Sequence, residues 1–150
     1  MGKVIPDMML FDTLNLGLPL SGVKAKYTMV YIYNPDCGAC KKTTPMLPAF
    51  FAEMKEKYDF KIYAASIGHD SKRWKEFIKE AKIEELLNGM DPFGQIDFEM
   101  YNNYNFPNIY LLDEEKRIFA KHIGLNQVKD LVASHQEYLD YKAKEAAEKK

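Results

Sequence analysis

Hydrophobic positions along the chain recur with two periods, and the switches between them mark out the elements. Thr28-Met29-Val30-Tyr31-Ile32-Tyr33 is β-branched, aromatic and almost wholly apolar, the pattern of a strand buried on both faces. Asn34-Pro35-Asp36 ends it. Asp36 is then placed to cap a helix from Cys37 to about Tyr58, kinked at Pro45 and Pro48. Phe60-Lys61-Ile62-Tyr63-Ala64-Ala65 reads as a second strand. Strand, helix and strand over about forty residues make a βαβ unit, a parallel pair with a right-handed crossover.

The period then returns to that of a helix. Trp74, Phe77, Ile78 and Ala81 form one apolar stripe, predicting a helix from about Ser71 to Leu87 that stops at Asn88-Gly89. Asp91-Pro92-Phe93-Gly94 is a loop, and a short helix is expected through Phe98 and Tyr101. Asn108-Ile109-Tyr110-Leu111-Leu112 and Arg117 to Ile123, joined by the polar Asp113 to Lys116, read as an antiparallel hairpin. Gly124 breaks the pattern. A last amphipathic helix carries Val128, Leu131, Val132, His135, Tyr138 and Leu139 on one face, fraying over residues 142–150. Ahead of all this, residues 1–27 form an extended lead-in punctuated by Pro6, Gly17, Pro19 and Gly22. The expected architecture is one α/β domain over residues 1–150, a mixed central sheet with helices on both faces.

Composition narrows the function classes. At 150 residues with a formal net charge of −1, the chain has the size of one domain and lacks the basic excess of a nucleic-acid surface. It has no run of 18 apolar residues, so nothing in it reads as a membrane span. The start, Met1-Gly2-Lys3-Val4-Ile5-Pro6, carries no leader pattern. A native cytosolic start and a fragment whose targeting segment lies upstream both fit. There are two cysteines, three residues apart, whereas a disulfide-stapled secreted domain spreads four or more along its length. The pair points to chemistry.

Cys37-Gly38-Ala39-Cys40 follows a buried strand and opens a helix. Residues three apart on a helix have Cβ atoms about 5–6 Å apart, and a disulfide needs about 3.5–4.5 Å. A slight tightening of the first turn lets the pair alternate between dithiol and disulfide. Cys37 faces the unpaired N–H groups and the positive end of the helix, which favour the attacking thiolate. Cys40, one turn further in, is expected to be less exposed and to resolve the mixed disulfide. Asp36 opposes ionisation of Cys37, by about 1 kcal/mol if solvated at 4 Å.

The CxxC at the head of the helix in a βαβ unit, Pro45 five residues past the second cysteine, and Phe106-Pro107 before the late hairpin together resemble thioredoxin. The resemblance covers most of the chain. The lead-in from Val4 to Val23 and the helical insert from Ser66 to Asp91 resemble the TlpA-like branch, the envelope-tethered bacterial thiol–disulfide reductases. The resemblance implies a thioredoxin-like fold with a cis Pro107 packed against the cysteine pair, and a substrate groove lined by Asp36, Gly38, Ala39 and Phe106. It implies protein thiols and disulfides as substrates, an upstream electron-donor thiol protein, no cofactor, and a periplasmic or envelope location, the cytoplasm being the alternative. The sequence departs from the family pattern at Asp36, at Gly38-Ala39, at Phe106 and at Tyr31, which stands where thioredoxin keeps a buried acid. Where the family has an acid in the insert, His69 and Asp70 are the candidates for the proton acceptor of Cys40. A plain helix-start loop is the competing reading of both.

Other chemistries fit less well. A zinc knuckle needs two more ligands, and the three histidines are scattered. Lys41 breaks the CxxCH haem pattern. Tyr101, Tyr104 and Phe106 are groove candidates or ordinary core. The expected activity is reduction of protein disulfides. An oxidase or isomerase on the same fold and a redox-silent thioredoxin-like interaction module are the alternatives.

Overall fold

The computed structural model describes residues 2–68, 70–91, 96 and 106–149. In chain order the strands are β1 (Met9–Phe11), β2 (Gly17–Pro19), β3 (Tyr27–Tyr33), β4 (Phe60–Ser66), β5 (Leu87–Met90), β6 (Asn108–Leu112) and β7 (Ile118–Lys121). The α-helices are α1 (Gly38–Thr43), α2 (Leu47–Lys57), α3 (Ser71–Ala81) and α4 (Leu125–Glu148). Among the described residues the strands form one mixed sheet in the order β2-β1-β5-β4-β3-β6-β7.

The apolar run 28–33 lies in β3, whose seven residues are all buried. Strand periodicity divides it between two cores. Tyr27, Met29, Tyr31 and Tyr33 face a cluster built with Leu47, Phe50 and Met54 of α2, Trp74, Phe77 and Ile78 of α3, and Val128 and Val132 of α4. Val30 and Ile32 face the other side, where Ile5, Met8, Leu10, Leu20 and Val23 of the lead-in cover the sheet together with Ile96. The described helices thus pack on one face and the lead-in covers the opposite one. The helix expected through Phe98 and Tyr101 lies outside the described residues.

β3 pairs in parallel with β4 from Tyr27↔Phe60 to Tyr33↔Ser66, as the βαβ pattern requires. It pairs antiparallel with β6, ending at Ile32↔Asn108. The C-terminal end of β3 and the N-terminal end of β6 are therefore neighbours. That register brings Cys37 and Phe106-Pro107 to one end of the sheet.

Several elements differ from the sequence reading. The single helix from Cys37 to Tyr58 is three pieces: α1, a 3-10 turn at Thr44–Met46, and α2. Pro45 and Pro48 each lack the N–H that would continue the ladder. The helix of the insert stops at Ala81 rather than Leu87, because Lys82 adopts a left-handed conformation (φ 59°) and returns its N–H to the carbonyls of Ile78 and Lys79. A residue other than glycine at that position hid the stop. Asn88-Gly89 is not a helix terminator but part of β5, where the Asn88 side chain donates to the carbonyls of Ile83 (2.8 Å) and Leu86 (3.1 Å). The lead-in contains a hairpin, β1 with β2, that extends the sheet through Phe11↔Met90. Tyr138, expected on the buried face of α4, is 56% exposed.

Gly89 lies directly under Leu10: a Cβ there would meet Leu10 Cβ at 2.6 Å and Cδ1 at 2.9 Å. Gly89→Ala should therefore overpack the joint between β1 and β5 and destabilise the fold by about 1–3 kcal/mol, read as a lower midpoint in urea unfolding. An unchanged midpoint would show that β1 is free to shift.

Candidate active site

The chain leaves β3 through a turn organised by one side chain. Asn34 Oδ1 accepts from the Asp36 N–H at 2.9 Å, and its carbonyl accepts from the Cys37 N–H at 3.0 Å. Asp36 is consequently held in the turn and does not cap the helix. The N-cap is Cys37, extended at φ −76° and ψ 130°, with its carbonyl accepting the Lys41 N–H at 3.0 Å. This is a correction with a chemical consequence. An N-cap side chain sits where the N–H groups two and three residues on converge, here those of Ala39 and Cys40. The neutral thiol makes no capping hydrogen bond, but those groups favour its anion. Partial burial works to raise the Cys37 thiol. The Cys40 N–H, the Cys40 thiol and the Ala39 N–H outweigh it, so Cys37 lies below the ordinary thiol range.

Cys40 is the opposite case. It is fully buried, and burial first, then the neighbouring Cys37 sulfur, pushes its thiol up to about 12. Both cysteines are free thiols. The wall behind them is aromatic and hydroxylic. Tyr31 and Thr44 share a buried hydrogen bond of 2.9 Å between their hydroxyls. Trp74 Nε1 donates to the Tyr33 hydroxyl at 3.1 Å. Tyr33 packs between Tyr31 and Phe77, with ring centroids 5.6 Å apart on each side. Burial holds both phenols far above their usual range, so each stays neutral. Position 31, where thioredoxin has an acid, supplies no anion here.

On the open side, the Phe106 carbonyl accepts from the Cys37 thiol at 3.6 Å. The Phe106–Pro107 peptide bond is cis. Phe106 is half-buried and packs against both cores. Gly38 and Ala39 are exposed beside Cys37. The exposed Asp36 is 3.4 Å from Arg73 Nε. Of the candidates in the insert, Asp70 is the N-cap of α3, its Oδ1 accepting the Arg73 N–H at 3.1 Å, as a helix-start loop would have it. His69 lies outside the described residues, as do Tyr101 and Tyr104. Among the described residues, no group of three or more His, Cys, Asp or Glu gathers as a metal site.

Three contributors escaped the sequence reading. Tyr33 and Thr44 carried no motif, although Tyr33 stands on the Tyr31 face of a strand that ends beside the cysteines. Arg73 is one of two arginines against nineteen lysines, a weak compositional signal for a site that needs a planar fork.

A model of the family described as thioredoxin-like matches residues 24–132. A domain of a possible thiol-disulfide isomerase from Cytophaga hutchinsonii superposes with a TM-score of 0.85 at 33% identity, covering 93% of this chain and 95% of that one. The thioredoxin domain of a thiol-disulfide oxidoreductase from Bacteroides vulgatus gives 0.76 at 31% identity, over 87% of this chain and 96% of that one. A thiol:disulfide interchange protein from a Bacteroides species gives 0.78 at 28% identity, over 89% and 88%. No curated protein matches the sequence.

The opposed shifts predict how the pair titrates as a unit. Alkylation of the reduced protein, followed by mass against pH, should accelerate as the Cys37 thiolate forms and level off below the pH at which an ordinary thiol does. Cys40 should stay unmodified through that range. Equal labelling of both thiols near neutrality would contradict the geometry.

Proposed function

The chain belongs to the thioredoxin-like family, and from that premise we propose that it is a thiol–disulfide oxidoreductase that reduces protein disulfides. One observation carries the reading: the two sulfurs of Cys37-Gly38-Ala39-Cys40 are differentiated. One sits half-open at a helix N-cap with its thiolate favoured, and the other is fully buried and protonated. A structural pair has no need of that asymmetry.

The chemistry follows from it. The Cys37 thiolate attacks one sulfur of a substrate disulfide, forming a Cys37–substrate bond and expelling the other substrate sulfur as thiolate. Cys40 then loses its proton and attacks Cys37 Sγ. The Cys37–Cys40 disulfide forms, the second substrate thiol leaves, and two electrons have passed to the substrate. An external dithiol protein returns them. Burial and the neighbouring Cys37 sulfur together hold the Cys40 proton, and engagement of Cys37 removes the second of these, so Cys40 reacts after Cys37. The Phe106 carbonyl and cis Pro107, beside the Cys37 sulfur, offer backbone against which an extended peptide can pair. Gly38, Ala39 and Phe106 complete that groove. His69 remains the proposed proton acceptor for Cys40, since Asp70 is engaged as a helix cap.

The reductase direction rests on the resemblance of the lead-in and the insert to the thiol–disulfide reductases of the TlpA-like branch. We place the reaction in the cell envelope on the lead-in and insert that resemble the envelope-tethered branch. Among the described residues no helix is long and apolar enough to cross a membrane.

Equilibrium titration of the pair against dithiothreitol buffers, read by alkylation and mass, should give a reversible two-electron couple near or below about −230 mV. A much more oxidising couple would move the protein to the oxidase or isomerase class, and no couple at all would remove the redox reading. Cys37→Ala should abolish exchange. Cys40→Ser should accumulate mixed disulfides with substrate, and normal turnover by that variant would show that Cys40 does not resolve them.

A further inference from the structure

The residue before the nucleophile is an acid, and a carboxylate there works against a thiolate. Its placement answers the problem. Asp36 Oδ1 lies 3.4 Å from Arg73 Nε, and Arg73 comes from the first turn of α3, 37 residues away in sequence. The same guanidinium donates through Nη1 to both oxygens of Glu80, at 3.3 and 3.4 Å. It also lies over the Phe77 ring, 5.7 Å from the centroid, and Phe77 in turn packs against Tyr33 behind the cysteines. The Arg73 side chain is 26% exposed while Asp36 is 73% exposed. The arginine is the fixed member of the pair and the aspartate the one it positions. An exposed ion pair contributes little to stability, so its consequence lies in where the carboxylate points and how its charge is offset.

We propose that Arg73 is a positioning residue for thiol exchange: it holds and neutralises the Asp36 carboxylate against α3, so that the acid beside Cys37 does not oppose thiolate formation. The role requires arginine. A guanidinium reaches two carboxylates at once through Nε and Nη1 while its plane covers an aromatic ring, whereas a lysine ammonium is a point charge. The proposal rests on Cys37 being the nucleophile. The other groups facing its sulfur are the Cys40 thiol and N–H and the Ala39 N–H on α1, the Tyr31 phenol from β3, and the Phe106 carbonyl. Asp36 is the anion nearest in sequence. The Arg73 effect is therefore expected to run through it.

The experiment is the pH profile of Cys37 alkylation in the full chain, compared across wild type, Arg73→Met, Arg73→Lys, Asp36→Asn and the Asp36→Asn/Arg73→Met double variant. Arg73→Met should raise the midpoint by about half a pH unit, the size of one charge about 6 Å away in water. Arg73→Lys should recover part of the shift. In the Asp36→Asn background, Arg73→Met should change nothing. No shift in Arg73→Met, or a full shift that persists when Asp36 is Asn, overturns the proposal. The second result would mean that Arg73 acts on the sulfur directly. Should Arg73→Met fail to fold by circular dichroism, Arg73→Gln, which keeps a polar side chain but removes the charge, takes its place and should raise the midpoint in the same direction. The midpoint is read without any substrate. A failed redox titration would therefore remove the proposed function while leaving this test intact.

Discussion

Everything at the site depends on β3 being buried on both faces. A strand with Tyr31 and Tyr33 against the helices and Val30 and Ile32 against the lead-in has no freedom to slide, because a one-residue slip would exchange its two faces. Its end is therefore a fixed point. From that point Asn34 ties down a two-residue turn, and Cys37 emerges at the head of α1. The antiparallel neighbour β6 begins opposite Ile32, which delivers the Phe106 carbonyl to the same place. The approach of Cys37 and the Phe106 carbonyl is a matter of sheet register.

The reactivity difference between the two cysteines then needs no special groups. One turn of helix separates them, and that turn runs from the rim of the fold into its core. Cys37 stays half-open with N–H groups aimed at it, while Cys40 meets the wall of Tyr31, Thr44 and Tyr33. The hydroxyl pair of Tyr31 and Thr44 keeps that wall satisfied and uncharged. The charge that does stand near the nucleophile, on Asp36, is dealt with at the surface by Arg73.

Much of this was legible in the chain because it is local. Two-sided burial shows as a continuous apolar run, the parallel pair as strand, helix and strand, and the cysteine pair as CxxC at a strand-to-helix junction. The misreadings are also local in origin. Lys82 ends α3 in a left-handed conformation that favours glycine, so no signal marked it. Asn88-Gly89 looks like a helix stop and is instead a strand whose asparagine clips two carbonyls of the preceding turn. Asp36 has the chemistry of a cap, but Asn34 takes its N–H one step earlier and passes the cap position to Cys37.

By itself, then, the sequence determined the order and kind of the main elements, the sheet's central strand and the place of the cysteine pair at a strand-to-helix junction. All of these follow from periodicity and from spacing within a few residues. Only the tertiary structure decided which groups stand behind the pair and what becomes of the adjacent acid. Those properties come from burial and from contacts such as Cys37 to Phe106 and Asp36 to Arg73, 69 and 37 residues apart. No window of the chain contains both partners.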